Sequence, residues 1–234
     1  INALAAFNVW PEVMSEGELN SAPYLLASQD DHLIITQGQK VYIKNLGQAQ
    51  VGQRWAVYHP NKRLTDPSTG RFLGFEVSYG AEVEIDKIDN ISTATVVSSS
   101  REIHSGDRLY AIQEGVVNLD TPITYPKQKV RGDIISLFDA TYLSGSYMVV
   151  VINKGKRQGI QLGHTLGVYS PGKIVQDPYQ SYQDNHGIKK SELSELPPEQ
   201  VAHLIVFKVT NDLSYGLIMH SSREVKNGYK IGNP

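Results

Sequence analysis

The sequence predicts an all-β or mostly β protein made of two related domains, each a small barrel or sandwich of antiparallel strands. Three observations lead to this prediction. Several stretches alternate apolar and polar residues and are rich in β-branched side chains. Turn-forming Gly, Pro, Asn and Asp residues separate these stretches at short intervals. The second half of the chain also repeats a residue pattern found in the first half.

The repeat consists of two blocks. Residues 52–67 align without a gap with residues 163–178, at a constant offset of 111. Farther along, SSREI at 99–103 aligns with SSREV at 221–225, at an offset of 122. A period this long indicates a duplicated domain, since the repeats of solenoid proteins span roughly 20 to 50 residues. The second copy must then contain an insertion of 11 residues between its two blocks.

Strands and short helices are predicted from local patterns. Ser15 stands three positions before Glu18, a capping-box arrangement that predicts a short helix starting there. A second helical turn is predicted in residues 194–201, with prolines near its start. Apolar and polar alternation predicts strands at residues 32–36, 40–44, 82–85, 92–97, 147–152 and 203–209, and a closing strand of the first domain within residues 106–112.

The junction between the domains is predicted between Gly115 and Val130, where prolines and lysines interrupt the strand pattern. A cut near residue 126 gives a first module with an N-terminal extension, residues 1–126, and a second module, residues 127–234. The insertion in the second module is expected at about 179–200. A polar segment of this length without periodicity is typical of a functional or disordered loop.

Composition excludes several classes of function. With 22 basic and 24 acidic residues the net charge is -2, so the chain offers no cationic field for nucleic acid or an anionic membrane. The absence of cysteine excludes disulfides and thiolate chemistry. No apolar run approaches the roughly 18 to 20 residues of a membrane span, and residues 1–7 do not resemble a signal peptide. Because Ile1 is not an initiator methionine, the chain is expected to be a processed or trimmed product.

Residues shared by the two copies are predicted to be structural. Proline cannot donate to a sheet ladder, so the shared tyrosine and proline are expected where a strand ends, with the shared lysine in the following turn. The shared aspartate should form a second turn and accept backbone N–H groups. A ligand site made of the lysine and aspartate of each copy is the alternative. The residues are Tyr58, Pro60, Lys62 and Asp66 in the first copy and Tyr169, Pro171, Lys173 and Asp177 in the second.

The repeated Arg-Glu pairs could suggest acid–base chemistry. Neighbouring residues on a strand point to opposite faces, however, so the two side chains of a pair could not converge on one substrate if these segments are extended. A salt bridge or packing role is therefore predicted for Arg101 and Glu102, and for Arg223 and Glu224.

Motifs for catalysis and cofactor binding are absent from the sequence, and neither a cofactor nor a metal is predicted. The seven histidines have no recognisable ligand spacing. A metal site made by His186 and His203 beside Asp184 is the weaker alternative. The chain also lacks a nucleophile elbow, a phosphate-binding glycine loop and a dinucleotide fingerprint. The sequence therefore does not predict an enzyme.

Aromatic residues are the better indication of a binding function, because tyrosine faces commonly contact sugars and peptides, and the chain has 13 Tyr against 5 Phe. Those in the insertion stand outside any strand pattern. The predicted contact residues are Tyr179, Tyr182, His186, Lys189 and Lys190.

A family resemblance is carried by residues 13–19, 22–24, 58–67, 98–102, 155–160 with 163–164, and 222–234. Taken together, these segments resemble the C-terminal region of proteobacterial LysM domain-containing proteins, over essentially the whole chain. In that family a signal peptide and a lysin motif precede this region. The resemblance implies export to the periplasm or cell envelope of a Gram-negative bacterium, and attachment to peptidoglycan through a lysin motif that lies outside this chain.

The resemblance implies a noncatalytic accessory region of a peptidoglycan-binding protein, which contacts wall material or another envelope protein. A protein–protein scaffold without affinity for glycan is the first alternative. A cell-wall hydrolase is the second, although such enzymes generally use a cysteine, a metal cluster or a converging pair of carboxylates.

Overall fold

The computed structural model describes residues 12–29, 35–112, 122–139, 148–183 and 189–234. The chain divides into two compact units, unit 1 from Ile1 to Asn118 and unit 2 from Leu119 to Pro234. This division falls inside the predicted junction and before the predicted cut at 126. In the described part of the chain, no helix has the length and apolar character needed to cross a membrane.

Unit 1 is a closed ring of six antiparallel strands with one additional strand. Around the ring, β4 pairs with β5, β5 with β6, β6 with β3, β3 with β2, β2 with β7, and β7 with β4, while β1 pairs with the outer part of β5. Its elements are β1 (Glu12–Met14), α1 (Glu16–Ser21), β2 (Tyr24–Ser28), β3 (Lys40–Lys44), β4 (Arg54–Thr65), β5 (Phe72–Lys87), β6 (Ile91–Ser99) and β7 (Arg108–Ala111).

Unit 2 is a closed barrel of six strands with a separate hairpin. Around this barrel the order is β10, β13, β14, β9, β8 and β15, and β15 returns to β10. Strands β11 and β12 pair only with each other among the described residues. The elements are β8 (Arg131–Asp139), β9 (Met148–Ile152), β10 (Thr165–Ser170), β11 (Ile174–Gln183), β12 (Lys189–Glu195), β13 (Glu199–Val209), β14 (Ser214–Ser221) and β15 (Lys230–Gly232), with a 3-10 turn at Lys156–Gln158.

The two rings have the same strand order. Replacing β2, β3, β4, β5, β6 and β7 of unit 1 by β8, β9, β10, β13, β14 and β15 converts one order into the other. The predicted all-β fold with two related barrel-like domains is therefore confirmed. The aligned segments occupy equivalent strands, which supports their origin in an internal duplication.

The backbone entering the first repeated strand is also equivalent in the two units. Gly52 and Gly163 adopt left-handed φ angles of 81° and 79°, which a residue with a Cβ rarely adopts. Their N–H groups donate to Ile85 and Val206, both at 2.8 Å. A glycine at this position lets the chain turn tightly into β4 or β10.

Each barrel encloses its own apolar core. The alternation along the strands directs every second side chain inward, so Val57 on β4 and Val168 on β10 are both fully buried. In unit 1 the interior includes Leu25, Val41, Ile43, Val57, Val83, Ile85, Ala94, Val96, Ile103 and Leu109. In unit 2 it includes Ile134, Val150, Ile152, Ile160, Leu166, Val168, Leu204, Val206, Ile218, Val225 and Ile231.

The N-terminal helix forms as its capping box predicts. The Ser15 hydroxyl accepts the Glu18 N–H at 3.2 Å, and the Ser15 N–H donates to the Glu18 carboxylate at 2.8 Å. The helical turn predicted at 194–201 is wrong, because that segment contains the end of β12, a short connection and the start of β13. Pairing with β10 and β14 determines the structure of β13 there and overrides the weak local signal.

Other strand predictions are met in part. Residues 40–44, 82–85, 92–97 and 203–209 all lie in strands, and 148–152 form β9. Within the predicted strand at 32–36, Ile35 makes an isolated bridge to Ile103, while residues 32–34 lie outside the described residues.

Two predictions about residues 58–62 of the first copy are wrong, whereas in the second copy β10 ends at Ser170, before Pro171, and Lys173 lies in the following connection. Strand β4 does not end at Pro60 but continues to Thr65, and Lys62 lies in this strand rather than in a turn. Past Tyr58, β4 has lost its pairing to β7 and pairs with β5 only, and its register shifts between Pro60 and Arg63. A proline is tolerated at such a bulge because it removes no necessary hydrogen bond.

Candidate functional site

The insertion forms a β-hairpin rather than the expected loop, and β11 and β12 are called the exposed hairpin below. Its base is fixed against the connection that follows it. The Leu196 N–H donates to the Lys173 carbonyl at 2.9 Å. A Cβ on Gly172 would lie 1.7 Å from the Leu196 oxygen, so only glycine allows the two chain segments to approach this closely.

One face of the exposed hairpin carries two apolar side chains beside the polar residues Gln176 and Glu195. Ile174 and Gln176 lie opposite Glu195 and Leu193, so Ile174 and Leu193 occupy the same face. Ile174 is 68% exposed and Leu193 is 64% exposed. A two-stranded hairpin is marginally stable by itself, and apolar residues grouped on a protruding element are typical of an interaction surface.

The hairpin also presents Tyr179 on a bulge. The pairing register of β11 shifts between Asp177 and Ser181. The Tyr179 N–H donates to the Asp177 carboxylate at 2.8 Å, and the Tyr179 side chain is 94% exposed. In unit 1 the Asp66 carboxylate accepts the Ser68 N–H in the same way, at 2.8 Å, but there the bond closes the hairpin. The insertion has therefore converted an end turn into a bulge in the middle of a longer hairpin.

The predicted contact residues belong mostly to this hairpin. Tyr179 and Tyr182 lie in β11, and Lys189 and Lys190 lie in β12. The backbone register places Tyr182 opposite Lys190. His186 lies outside the described residues.

A second arrangement in unit 1 was not predicted. The loop from β6 to β7 contains a turn over residues 104–107, in which the Asp107 N–H donates to the His104 carbonyl at 3.1 Å. Gly106 has the left-handed φ of 93° that the third position of a type II turn requires. Ile103 is fully buried and anchors the turn to the barrel core.

This turn brings two histidines and an aspartate together. The backbone pairing of Tyr58 with Arg108 places the next residues, His59 and Asp107, beside each other. His59 Nδ1 is 2.7 Å from Asp107 Oδ1, and Asp107 Oδ2 accepts the His104 N–H at 2.9 Å. The imidazole rings of His59 and His104 are 6.0 Å apart between centroids.

His59, His104 and Asp107 are called the histidine cluster below. Among the described residues, this is one group of three side chains that could hold a metal ion, with ligand atoms all within 4.8 Å of one another. The Asp107 side chain is 2% exposed, whereas the His59 side chain is 51% exposed. The cluster thus combines the buried carboxylate of Asp107 with two solvent-exposed imidazoles.

The histidine cluster differs from the metal alternative predicted from the sequence. His203 lies exposed on β13, where its ring nitrogens are 3.2 Å from the Gln200 amide nitrogen. Asp184 and His186 lie outside the described residues. The sequence did contain one signal of the cluster. His59 and His104 interrupt segments that otherwise repeat, and Ser170 and Lys226 stand at the equivalent positions.

The shared tyrosine has a packing role in both units. Tyr58 is 4% exposed and makes edge contacts with Tyr79 and Tyr110, at centroid distances of 6.0 and 6.2 Å. Burial raises the pKa of Tyr58, and the nearby Glu12 raises it further. Burial also raises the pKa of Tyr110 to about 12. The equivalent Tyr169 donates its hydroxyl to the Asn233 carbonyl at 2.7 Å.

The remaining repeat residues make local structural contacts. Lys62 forms an ion pair with Glu76 at 3.2 Å. Arg223 pairs with Glu199 at 2.7 Å, and Glu224 pairs with Lys226 at 3.2 Å. Surface ion pairs of this kind stabilise a protein by less than about 1 kcal/mol.

The other members of the repeat set lie on the surface or in the hairpin connections. Arg101 and Glu102 are exposed in the chain between β6 and the 104–107 turn. The carbonyl of Arg101 accepts the Ser99 hydroxyl at 2.7 Å, and the Arg223 carbonyl accepts the Ser221 hydroxyl in the same arrangement. Pro171 and Lys173 lie between β10 and β11.

Comparison with known proteins adds no assignment to either arrangement. The sequence matches no protein-family model, and a search of curated proteins found no matching relative.

Proposed function

We propose that this chain is a noncatalytic, cell-envelope region of a LysM-type peptidoglycan-binding protein and serves as an accessory module for interactions at the cell wall. The segments that resemble proteobacterial LysM proteins support the envelope assignment. The observation that carries the interaction role is the exposed hairpin, because its apolar residues Ile174 and Leu193 and its bulged Tyr179 all face solvent.

The exposed hairpin contacts another envelope protein in this proposal, whereas peptidoglycan is bound through a lysin motif outside this chain. Its strands form a separate sheet among the described residues, so their outer edges are available for pairing with an extended segment. The exposed side chains of Ile174 and Leu193 would supply apolar area to such a contact, and Tyr179 would supply the aromatic anchor.

A hairpin-shortened variant tests this role. Residues 178–191 are replaced by Pro-Ser-Thr-Gly, the sequence of the unit 1 turn at 67–70, so that Asp177 again closes the hairpin as Asp66 does. The melting temperature should remain nearly unchanged, because the barrel strands stay intact. Capture of the partner by cross-linking in cell envelopes should be lost.

The matched point variant is Ile174→Ser, Tyr179→Ser and Leu193→Ser together, which keeps the length of the hairpin. Both variants should lose the same cross-linked species. Retained capture by both, or unfolding of unit 2 in the shortened variant, would contradict the assigned role of the hairpin.

Sedimentation with purified peptidoglycan separates the remaining alternatives. The full-length protein and this chain are incubated with the wall material in parallel. Sedimentation of the full-length protein but not of this chain agrees with the proposal, in which a lysin motif outside this chain binds the wall. Sedimentation of this chain as well favours direct contact with the wall, whereas sedimentation of neither protein favours a protein–protein scaffold without affinity for glycan. Release of soluble muropeptides by this chain would refute the noncatalytic proposal and favour the hydrolase.

A further inference from the structure

We propose that the histidine cluster of unit 1 binds a divalent transition-metal ion of the zinc class, with His59, His104 and Asp107 as its three protein ligands. Imidazole nitrogens and one carboxylate oxygen are donors that zinc accepts, and the chain has no cysteine that could compete as a ligand. The proposal is independent of the function assigned to the exposed hairpin.

The geometry of Asp107 is suited to single-oxygen coordination. Its Oδ2 atom already accepts the His104 backbone N–H at 2.9 Å, which fixes the orientation of the carboxylate. Its Oδ1 atom faces His59 and is free of that backbone bond. A metal-binding carboxylate whose second oxygen is held by a hydrogen bond is a common arrangement that orients the ligand and improves affinity.

The contact between His59 and Asp107 is where the ion would enter. His59 Nδ1 and Asp107 Oδ1 lie within hydrogen-bonding distance of each other, at 2.7 Å. Zinc ligands lie about 2.0 to 2.1 Å from the metal, which places two tetrahedral ligand atoms about 3.3 Å apart. Binding would therefore separate these two atoms slightly and shift the His59 proton to Nε2 or to solvent.

His104 supplies the third donor with little rearrangement. The ligand atoms of the cluster already lie within 4.8 Å of one another, and both imidazoles are exposed. Moderate rotation of the two histidine side chains can therefore bring three donors to tetrahedral spacing. The fourth position would be taken by water, as in zinc sites with three protein ligands.

Such an ion would connect two parts of the barrel. His59 lies on β4, and His104 and Asp107 lie in the turn before β7. The cluster has no counterpart in unit 2, where Ser170, Lys226 and Tyr229 occupy the equivalent positions. Bound metal is therefore expected to stabilise unit 1, because an ion that binds only the folded state shifts the folding equilibrium.

The experiment titrates the metal-free chain with zinc chloride by isothermal calorimetry and follows the melting temperature in parallel. One zinc per chain and a higher melting temperature are expected. His59→Gln and His104→Gln should each weaken zinc binding at least about tenfold, because each removes one of three ligands. Asp107→Asn should also weaken zinc binding. Circular dichroism checks that this variant still folds, because Asp107 also holds the 104–107 turn.

The matched control is the double variant His203→Gln and His220→Gln. These two residues lie opposite each other on β13 and β14, and both are exposed. Zinc affinity should be unchanged in this control. Unchanged binding in both His59→Gln and His104→Gln, loss of binding in the control, or no saturable binding by the wild-type chain would each overturn the proposal.

Discussion

The two barrels share a turn whose side chains differ. Residues 104–107 of unit 1 and 226–229 of unit 2 close with the same backbone hydrogen bond, at 3.1 and 3.2 Å. Gly106 and Gly228 supply the left-handed conformation, with φ angles of 93° and 85°. The turn carries His104 and Asp107 in unit 1 but Lys226 and Tyr229 in unit 2. The two copies therefore share the backbone conformation of this turn but differ in the side chains that could bind a ligand.

At the exposed hairpin it is unit 2 that carries the additional feature, and unit 1 has the simpler form. The Asx turn that ends the hairpin of unit 1 became an internal bulge in unit 2, and new strand residues follow it. Unit 1 thus has the histidine cluster and a short hairpin, whereas unit 2 has the longer hairpin and carries Ser170, Lys226 and Tyr229 in place of the three cluster residues. The copies therefore diverged at two connections, the turn before β7 in unit 1 and the connection from β10 to β13 in unit 2.

The largest difference in stability between the two units is expected from replacing the shared tyrosine, Tyr58 or Tyr169, by alanine. Tyr58 belongs to an apolar cluster with Met14, Ala56 and Val77 that β1 and α1 cover, so Tyr58→Ala should destabilise unit 1 by about 3 to 5 kcal/mol. Tyr169 is only partly buried, so Tyr169→Ala should destabilise unit 2 by about 1 to 2 kcal/mol.

Urea unfolding followed by hydrogen exchange separates the two effects, because exchange in β4 and β10 reports each unit. Tyr58→Phe is the control, since it keeps the ring and should cost much less than the alanine variant. Equal losses at Tyr58 and Tyr169 would show that the N-terminal cover adds nothing to the packing of Tyr58.

Substitutions two residues before each tyrosine are expected to change the free energy of unfolding by a smaller amount. Unit 1 has Ala56 there, but unit 2 has Gly167, where a Cβ would lie 2.9 Å from the Tyr169 ring. Gly167→Ala should therefore displace the ring and weaken its hydrogen bond to Asn233, at a cost of about 1 to 3 kcal/mol. The measurement is the free energy of unfolding of unit 2.

A double-mutant cycle checks this cause. In the Tyr169→Ala background the displaced ring is absent, so Gly167→Ala should become much less costly. Ala56→Gly in unit 1 is the reciprocal control and should cost about 1 kcal/mol, through lost burial and greater freedom of the unfolded chain. Strict additivity of Gly167→Ala and Tyr169→Ala would exclude steric conflict with the ring.

Sequence reasoning recovered the features that depend on local or repeated patterns. The capping box identified α1, and the two offsets identified the related barrels, because strand entry glycines and buried positions recur with the duplication. It did not recover β12, since a polar strand is stabilised by its pairing to β11 and lacks the alternation of a half-buried strand. It also predicted that β4 would end at Pro60, because the bulge that accommodates proline depends on the neighbouring strands.

The histidine cluster could not be predicted from local sequence patterns, because its residues meet only through strand pairing. His59 is 48 positions from Asp107, and their contact depends on the pairing of β4 with β7 that closes the ring. No ligand spacing in the sequence encodes such a contact. The sequence predicted a contact surface in the insertion, and the roles of Tyr179, Tyr182, His186, Lys189 and Lys190 stay predictions.

The smallest expected effect concerns pH and the turn that precedes β4 and β10. In unit 1 the Gln53 side chain accepts the Gln50 N–H at 3.1 Å, and in unit 2 His164 Nδ1 accepts the Gln161 N–H at 3.2 Å. His164 is 5% exposed, and burial lowers its pKa from the ordinary value of 6.5. As pH falls below 6.5, the unfolded chain binds a proton at His164 that the folded chain resists, so this contribution to the stability of unit 2 is lost.

His164→Gln keeps the acceptor without the titration, so it should flatten the decline in stability of unit 2 between pH 7 and pH 5, measured by urea unfolding at several pH values. The reciprocal Gln53→His should introduce a decline into unit 1, and a wild-type decline that persists unchanged in His164→Gln would assign it to other groups.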